Sequence, residues 1–154
     1  MDLNADWNGF DLRVLFQGVG KRDWYPSGYR FFGIYLAPWG NVYENNLDHW
    51  TPENPDAYFP RLKSYLANGN GDMSTEQTRY LQNAAYLRLK NVTFGYSVPK
   101  ALLQKTKLEH VRIYFSGENL FEATPLCRNF DPEQLDDSTH PLQRTFSIGL
   151  NITL

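Results

Sequence analysis

The chain has 154 residues, the length of one domain, and its 15 Lys and Arg against 17 Asp and Glu give a net charge of -2, so no basic surface points to nucleic acid. Mean hydropathy is -0.54 and no apolar run approaches the roughly 18 residues of a membrane helix, which leaves open a spanning sheet with polar residues in every strand. The single cysteine, Cys127, excludes a disulfide or a cysteine-based zinc site within one copy of the chain.

From the amino end, Met1-Asp-Leu-Asn-Ala-Asp has neither a basic nor an apolar stretch, so no signal peptide is expected. Leu3, Ala5 and Trp7 alternate with Asp2, Asn4 and Asp6, predicting a strand over 1–7. It ends at Asn8-Gly9, the strongest two-residue hairpin signal. The next strand, 10–18, places Phe10, Leu12, Val14 and Phe16 on one face and Asp11, Arg13 and Gln17 on the other, with Leu15 out of pattern. No period survives from Gly18 to about Ala84. That stretch holds turn signals at Tyr25–Gly28, Thr51–Pro55 and Asn68–Gly71, and half of the chain's aromatic residues fall between Trp24 and Tyr65. A segment so long without period inside a compact domain is expected to be functional. Within it Ser74–Leu81 reads as a turn or two of helix, Ser74 capping with Gln77 three residues on.

Alternation returns over 86–98, where Val92, Phe94, Tyr96 and Val98 share a face. Nearer its start the pattern inverts, with Arg88 and Lys90 on the nominally apolar side, which calls for a bulge or for emergence above a lipid layer. Pro99–Lys107 reads as a brief helix with Pro99 in its first turn. A fourth strand, 111–121, alternates Val111, Ile113, Phe115 and Gly117 with Arg112, Tyr114, Ser116 and Glu118. After an irregular loop at 122–141 comes a fifth strand, 143–154, whose Phe146, Ile148, Leu150, Ile152 and Leu154 oppose Thr145, Ser147, Gly149, Asn151 and Thr153. Its final eleven residues, at about 3.3 Å each and tilted about 45°, cover about 25 Å, the height of the apolar band of an outer-membrane barrel. A strand running to the chain end is expected at the seam of a closed barrel. The connections run short, long, medium, long, matching periplasmic turns at 8–9 and 99–110 and extracellular loops at 19–85 and 122–141.

Several of these segments resemble the SusC/RagA family of TonB-dependent outer-membrane transporters. They are Trp50–Arg61 (WTPENPDAYFPR), Tyr86–Pro99 (YLRLKNVTFGYSVP), Val111–Phe121 (VRIYFSGENLF), Asp131-Pro-Glu133 and Arg144–Leu150 (RTFSIGL). The likeness covers nearly the whole chain in order and spacing. It implies an all-β fold: the last five antiparallel strands of a transmembrane barrel of about 22 strands, with one long and one medium extracellular loop. It also implies import of glycans, peptides or other large nutrients across the Gram-negative outer membrane. A SusD-like lipoprotein would lid the outer face, and TonB would pull on a plug domain that this chain lacks. The last residues resemble the signal read by the barrel-assembly machinery, with Ser147, Gly149, Ile152 and Leu154 in its positions; Leu154 stands where such barrels commonly have Phe.

The candidate ligand or partner contacts are loop aromatics, Trp24, Tyr25, Trp39, Trp50, Tyr58 and Phe59, because flat rings desolvate the apolar faces of sugars. The plainer reading is that they pack the loop on itself, on a barrel rim or on a lipoprotein. Trp7, Phe10, Phe94 and Tyr96 read as an interfacial aromatic girdle against outer-membrane lipid. Asp131, Glu133, Asp136 and Asp137 form an acidic cluster of the kind that holds calcium, but without a known ligand spacing they read as solvated loop, Asp-Pro capping a turn. Asn68–Asp72 likewise lacks the glutamate that completes a calcium loop. His49, His110 and His140 are dispersed, so neither a catalytic constellation, a metal site nor a cofactor is expected. Arg13, Arg112 and Glu118 are expected on a lumen face, satisfying one another or the plug, and Arg88 and Lys90 near the outer rim facing lipopolysaccharide phosphates. The competing reading is a soluble all-β carbohydrate-binding module, a sandwich using the loop aromatics; a truncated, inactive product is a third. The sandwich requires Ile148, Leu150 and Ile152 to be enclosed by this same chain.

Overall fold

The computed structural model describes residues 1–37, 39–63, 75–104, 107–136 and 140–154. Its strands are β1 (Asp2–Trp7), β2 (Phe10–Val19), β3 (Asp23–Trp24), β4 (Gln82–Asn83), β5 (Tyr86–Ser97), β6 (His110–Ala123) and β7 (Thr145–Thr153). The chain divides into two compact units, a sheet unit of 1–20, 85–125 and 141–154 and a loop unit of 21–84 and 126–140.

The sheet unit is an antiparallel meander in the order β1-β2-β5-β6-β7, each strand paired with its neighbour in that order. Asn8 and Gly9 turn the first hairpin with φ of 48° and 87°, the two positive angles that match the twist of the flanking strands. Paired residues share a face, so the register sorts the side chains. One face carries Leu3, Trp7, Phe10, Leu12, Val14, Val92, Phe94, Tyr96, Ile113, Phe115, Phe146, Ile148, Leu150 and Ile152. The other carries Asp2, Asn4, Asp11, Arg13, Thr93, Arg112, Ser116, Ser147 and Asn151. The apolar face stays uncovered: Ile148 is 82% exposed and Leu150 and Ile152 more than half exposed. Among the described residues no second sheet encloses it, so the sandwich does not form. At the Asn8-Gly9 end, Phe10 stacks on Phe94 at 5.7 Å and lies 4.6 Å from Tyr96, beside an exposed Trp7, the cluster expected of an aromatic girdle.

The inversion at Arg88 and Lys90 is a bulge. Leu15 pairs with Asn91, but Phe16 pairs with Leu89, so Lys90 is an extra residue on β5. Across β6, Leu89 faces Phe121 and Asn91 faces Glu118, with Asn119 at φ 53° between. Lys90 Nζ donates to Asn119 Oδ1 at 3.3 Å, and Asn119 Nδ2 donates to the Gln143 carbonyl at 3.1 Å. The extra residue resets parity. Leu87 and Leu89 rejoin the apolar face alongside Phe16, and Arg88 turns to the polar face, paired with Gln17 and Glu122.

The helical expectations are met in part. Lys100–Leu103 is helical behind Pro99. Thr78–Tyr80 is a single tight turn, whereas Ser74, its proposed cap, lies outside the described residues, as do Asn68–Asp72. Deleting Lys90 is expected to remove the bulge and leave regular alternation, with Leu89 on the apolar face and Arg88 on the polar one, so heat-resistant folding in detergent survives. A variant lacking Lys90 that loses its folded electrophoretic mobility would contradict the assignment of Lys90 as the extra residue.

Candidate functional site

The loop unit is built on its aromatic residues. Phe31, Phe32, Tyr35, Phe59, Tyr80, Ala84, Leu126 and Phe130 form a buried cluster, and Trp24, Tyr25 and Tyr58 pack against it. A segment without periodic strands buries apolar area in this way, by concentrating large rings. Four of the six candidate contacts therefore sit in or on this core. Phe59 is 1% exposed, stacked between Tyr35 and Tyr80 at 5.5 and 5.6 Å. Trp24 meets Phe130 edge-on at 4.8 Å. Tyr25 lies 6.4 Å from Phe32 and donates its hydroxyl to the Thr75 carbonyl at 2.8 Å. The Tyr58 ring lies 5.4 Å from Tyr80, and its hydroxyl accepts from Gln82 Nε2 at 3.0 Å. Trp39 and Trp50 are the outward pair, 79% and 37% exposed.

Trp50 belongs to a closed loop, 48–60, whose ends are tied together. The Trp50 amide donates to the Phe59 carbonyl and the Phe59 amide to the Asp48 carbonyl, both at 2.9 Å. The Asp48 carboxylate accepts from Asn54 Nδ2 at 3.0 Å and the Tyr58 amide at 3.1 Å. From outside the loop, Arg79 donates Nε to the Tyr58 carbonyl at 2.9 Å and Nη2 to the Ala57 carbonyl at 2.8 Å. Tyr35 donates its hydroxyl to Pro60 at 2.7 Å. Between this loop and Gln77–Tyr80 lies an open groove of about 580 Å³, walled by Trp50, Pro55, Pro60, Arg61, Gln77 and Arg79.

The second loop is clipped to the first. Asn129 Nδ2 donates to the Arg30 carbonyl at 3.1 Å and to Asn45 Oδ1 at 2.7 Å. Asn45 and the fully buried Asn46 both donate to the Phe31 carbonyl. Asp131 is buried and caps its own turn, accepting from the Glu133 amide at 2.9 Å. No group of three or more metal-ligating side chains gathers among the described residues, and Asp137 of the acidic cluster lies outside them. Asp48, Arg79, Asn46 and Asn129 hold this architecture, and none carries a sequence signal, because each acts through a carbonyl or amide distant along the chain.

On the sheet's polar face, Arg112 makes a bidentate pair with Asp11 at 2.9 and 2.5 Å, and its guanidinium lies 5.0 Å over the Tyr114 ring. Arg13 pairs with Asp2 at 2.7 Å. The arginines thus find acids on β1 and β2 rather than Glu118, which is exposed. The placement of Arg88 beside lipopolysaccharide is corrected: it is 3% exposed and bound to Glu122, because the bulge turns it inward. Of the assembly-signal residues, Ser147 faces Ser116 and Ile152 faces Val111, while Leu154 is exposed. Gly149 pairs with Tyr114, and a side chain there would strike the Tyr114 ring.

No protein-family model matches the chain. It is 39% identical to TonB-dependent receptor P3 of Formosa agariphila over 173 aligned positions, covering 99% of this chain and 16% of that protein. TonB-dependent receptor P26 of the same bacterium is 29% identical over 120 positions, covering 69% of this chain and 12% of that protein. The RagAB peptide importer in its closed-closed state superposes with a TM-score of 0.75 at 25% identity, covering 98% of this chain and 16% of that one. The open-open state gives 0.69 at 23% identity, covering 99% and 16%. The chain belongs to the TonB-dependent receptors, in their SusC/RagA branch. It spans less than a fifth of the length of these relatives, and its place is the outer membrane of Gram-negative bacteria.

Within this receptor sector, burial raises the phenol pKa of Tyr25, Tyr35, Tyr58 and Tyr80 above the ordinary 10.0, and burial likewise pushes the Cys127 thiol up. A raised folded pKa means the unfolded chain releases its phenolic protons first. By this linkage the loop unit keeps its stability below the ordinary thiol value of 9.0 and loses it as pH rises through the ordinary phenol value of 10.0 toward the folded values. In an alkaline titration, phenolate absorbance from these rings is expected to rise together with loss of near-ultraviolet circular dichroism. Ordinary ionisation with the dichroism intact would overturn this.

Proposed function

We propose that the chain is the carboxyl-terminal five-strand sector of an outer-membrane TonB-dependent transporter whose barrel has about 22 strands. In this reading β1, β2, β5, β6 and β7 span the membrane, the loop unit stands outside the cell, and the polar face lines the lumen. The plug, and the segment that reaches TonB, belong to the rest of the protein. The transporter imports glycans or other large nutrients, with a SusD-like lipoprotein over the loop face, and the barrel-assembly machinery inserts it.

The observation that carries this reading is the single apolar face, continuous over five strands and open to its surroundings. Hydrocarbon is the medium in which such a face is stable, while the polar face and paired backbone satisfy themselves. The fold likeness to RagAB, solved as a peptide importer, supports transport as the activity. The loop unit supports an extracellular role, since it is a folded body with its own core.

Paired substitutions on one strand test this. Ile148→Lys is expected to destabilise the barrel in lipid by about 2–4 kcal/mol, whereas Ser147→Lys, one residue away on the lumen face, costs much less. Urea titrations in liposomes measure the difference. Equal effects, or a stabilised Ile148→Lys, would refute a lipid-facing surface. A second expectation follows from the two open edges, β1 and β7. Unpaired backbone is costly in hydrocarbon, so the 154-residue chain alone is expected to sediment in detergent-free buffer as aggregates. A well-behaved monomer would count against the barrel.

A further inference from the structure

We propose that the Trp50 groove of the loop unit is a binding site for an acidic saccharide, a chain bearing uronate carboxylates. This deepens the transporter reading and rests on it. The groove, about 580 Å³, has the volume of a pocket for a few sugar rings. Its wall presents the partly exposed indole of Trp50 beside the rings of Pro55 and Pro60, a flat apolar surface that suits the C–H face of a pyranose. Two guanidiniums, Arg61 and Arg79, line it, and among the described residues no carboxylate does. Asp56, between Pro55 and Ala57, and Glu76, next to Gln77, are exposed outside the lining, and the Asp48 carboxylate is engaged by Asn54 and the Tyr58 amide.

The two arginines differ in kind. Arg79 is held by two carbonyls of the loop, so its charge is fixed in the wall. Arg61 is exposed at the rim, where a bidentate pair with a carboxylate adds orientation as well as attraction. The buried stack of Phe59 on Tyr80 reaches the groove and makes it rigid before any ligand arrives. An extended peptide would need open backbone groups for strand addition. Here the Trp50 and Phe59 amides are bonded within the loop itself, which favours a saccharide over a peptide.

The test uses the receptor that carries this chain, purified in detergent, with a short oligogalacturonate, a neutral oligosaccharide of equal length and a glutamate-rich peptide as probes. Oligogalacturonate is expected to change tryptophan fluorescence saturably and to bind more weakly as salt rises. Arg61→Gln is expected to weaken it about tenfold, the loss of one charge-assisted hydrogen-bonding group. Trp50→Ala is expected to remove the fluorescence change, with near-ultraviolet dichroism verifying the fold; Arg61→Gln, at the exposed rim, keeps the test decisive if Trp50→Ala misfolds. Equal binding of the neutral sugar, preference for the peptide, or indifference to Arg61→Gln would overturn the proposal. Each of these leaves a heat-modifiable barrel in the outer membrane, whereas failure of the transporter reading would show as absence of that barrel.

Discussion

A sheet with one greasy face and nothing of its own to cover that face must be solvated by something other than water. That requirement organises the sheet unit. It fixes the register, because a slip of one residue would exchange the two faces of a strand. It accounts for the bulge at Lys90, since the upper part of β5 would otherwise present Arg88 on the apolar side, away from Glu122 on the polar face of β6. It also explains the ion pairs on the opposite face, where Arg13 and Asp2 neutralise one another between neighbouring strands and Arg112 reaches across β5 to Asp11.

The loop unit meets a different demand. A long insertion without strand ladders must find apolar burial within itself. Aromatic rings supply much area per residue, and Phe31, Phe32, Phe59 and Tyr80 meet at centroid separations of 4.9 to 6.2 Å. Hydrogen bonds from side chains to backbone carbonyls then replace the ladders that regular strands would provide, as with Asn46, Arg79 and Tyr35. The same density of rings leaves Trp39 and Trp50 turned outward, and Trp50 lines the groove together with the buried Phe59.

The strands were legible because period-two patterning is local: each residue's face follows from its immediate neighbours. All five strands of the sheet unit fall within two residues of where alternation places them, and the Asn8-Gly9 turn takes the backbone angles its composition demands. The inversion at Arg88 was legible as an irregularity, whereas its consequence was not. Burial beside Glu122 depends on a partner 34 positions away along the chain, Arg88 to Glu122. The loop unit lay furthest from sequence reasoning. Its aromatic richness signalled a core, but which rings turn in and which turn out is decided by contacts such as Trp24 with Phe130. Periodicity contains no information on such pairs.

Asn129 has an evolutionary corollary. Its side-chain amide joins the short loop to Arg30 and Asn45 of the long one, and Leu126 and Phe130 complete a cluster whose other members come from residues 31–84. Recombination that exchanged only one of the two loops would strand a polar amide and leave ring-sized holes in its neighbour. The heritable module of this sector is therefore the pair of loops, even though two strands and a helical turn separate them in the gene.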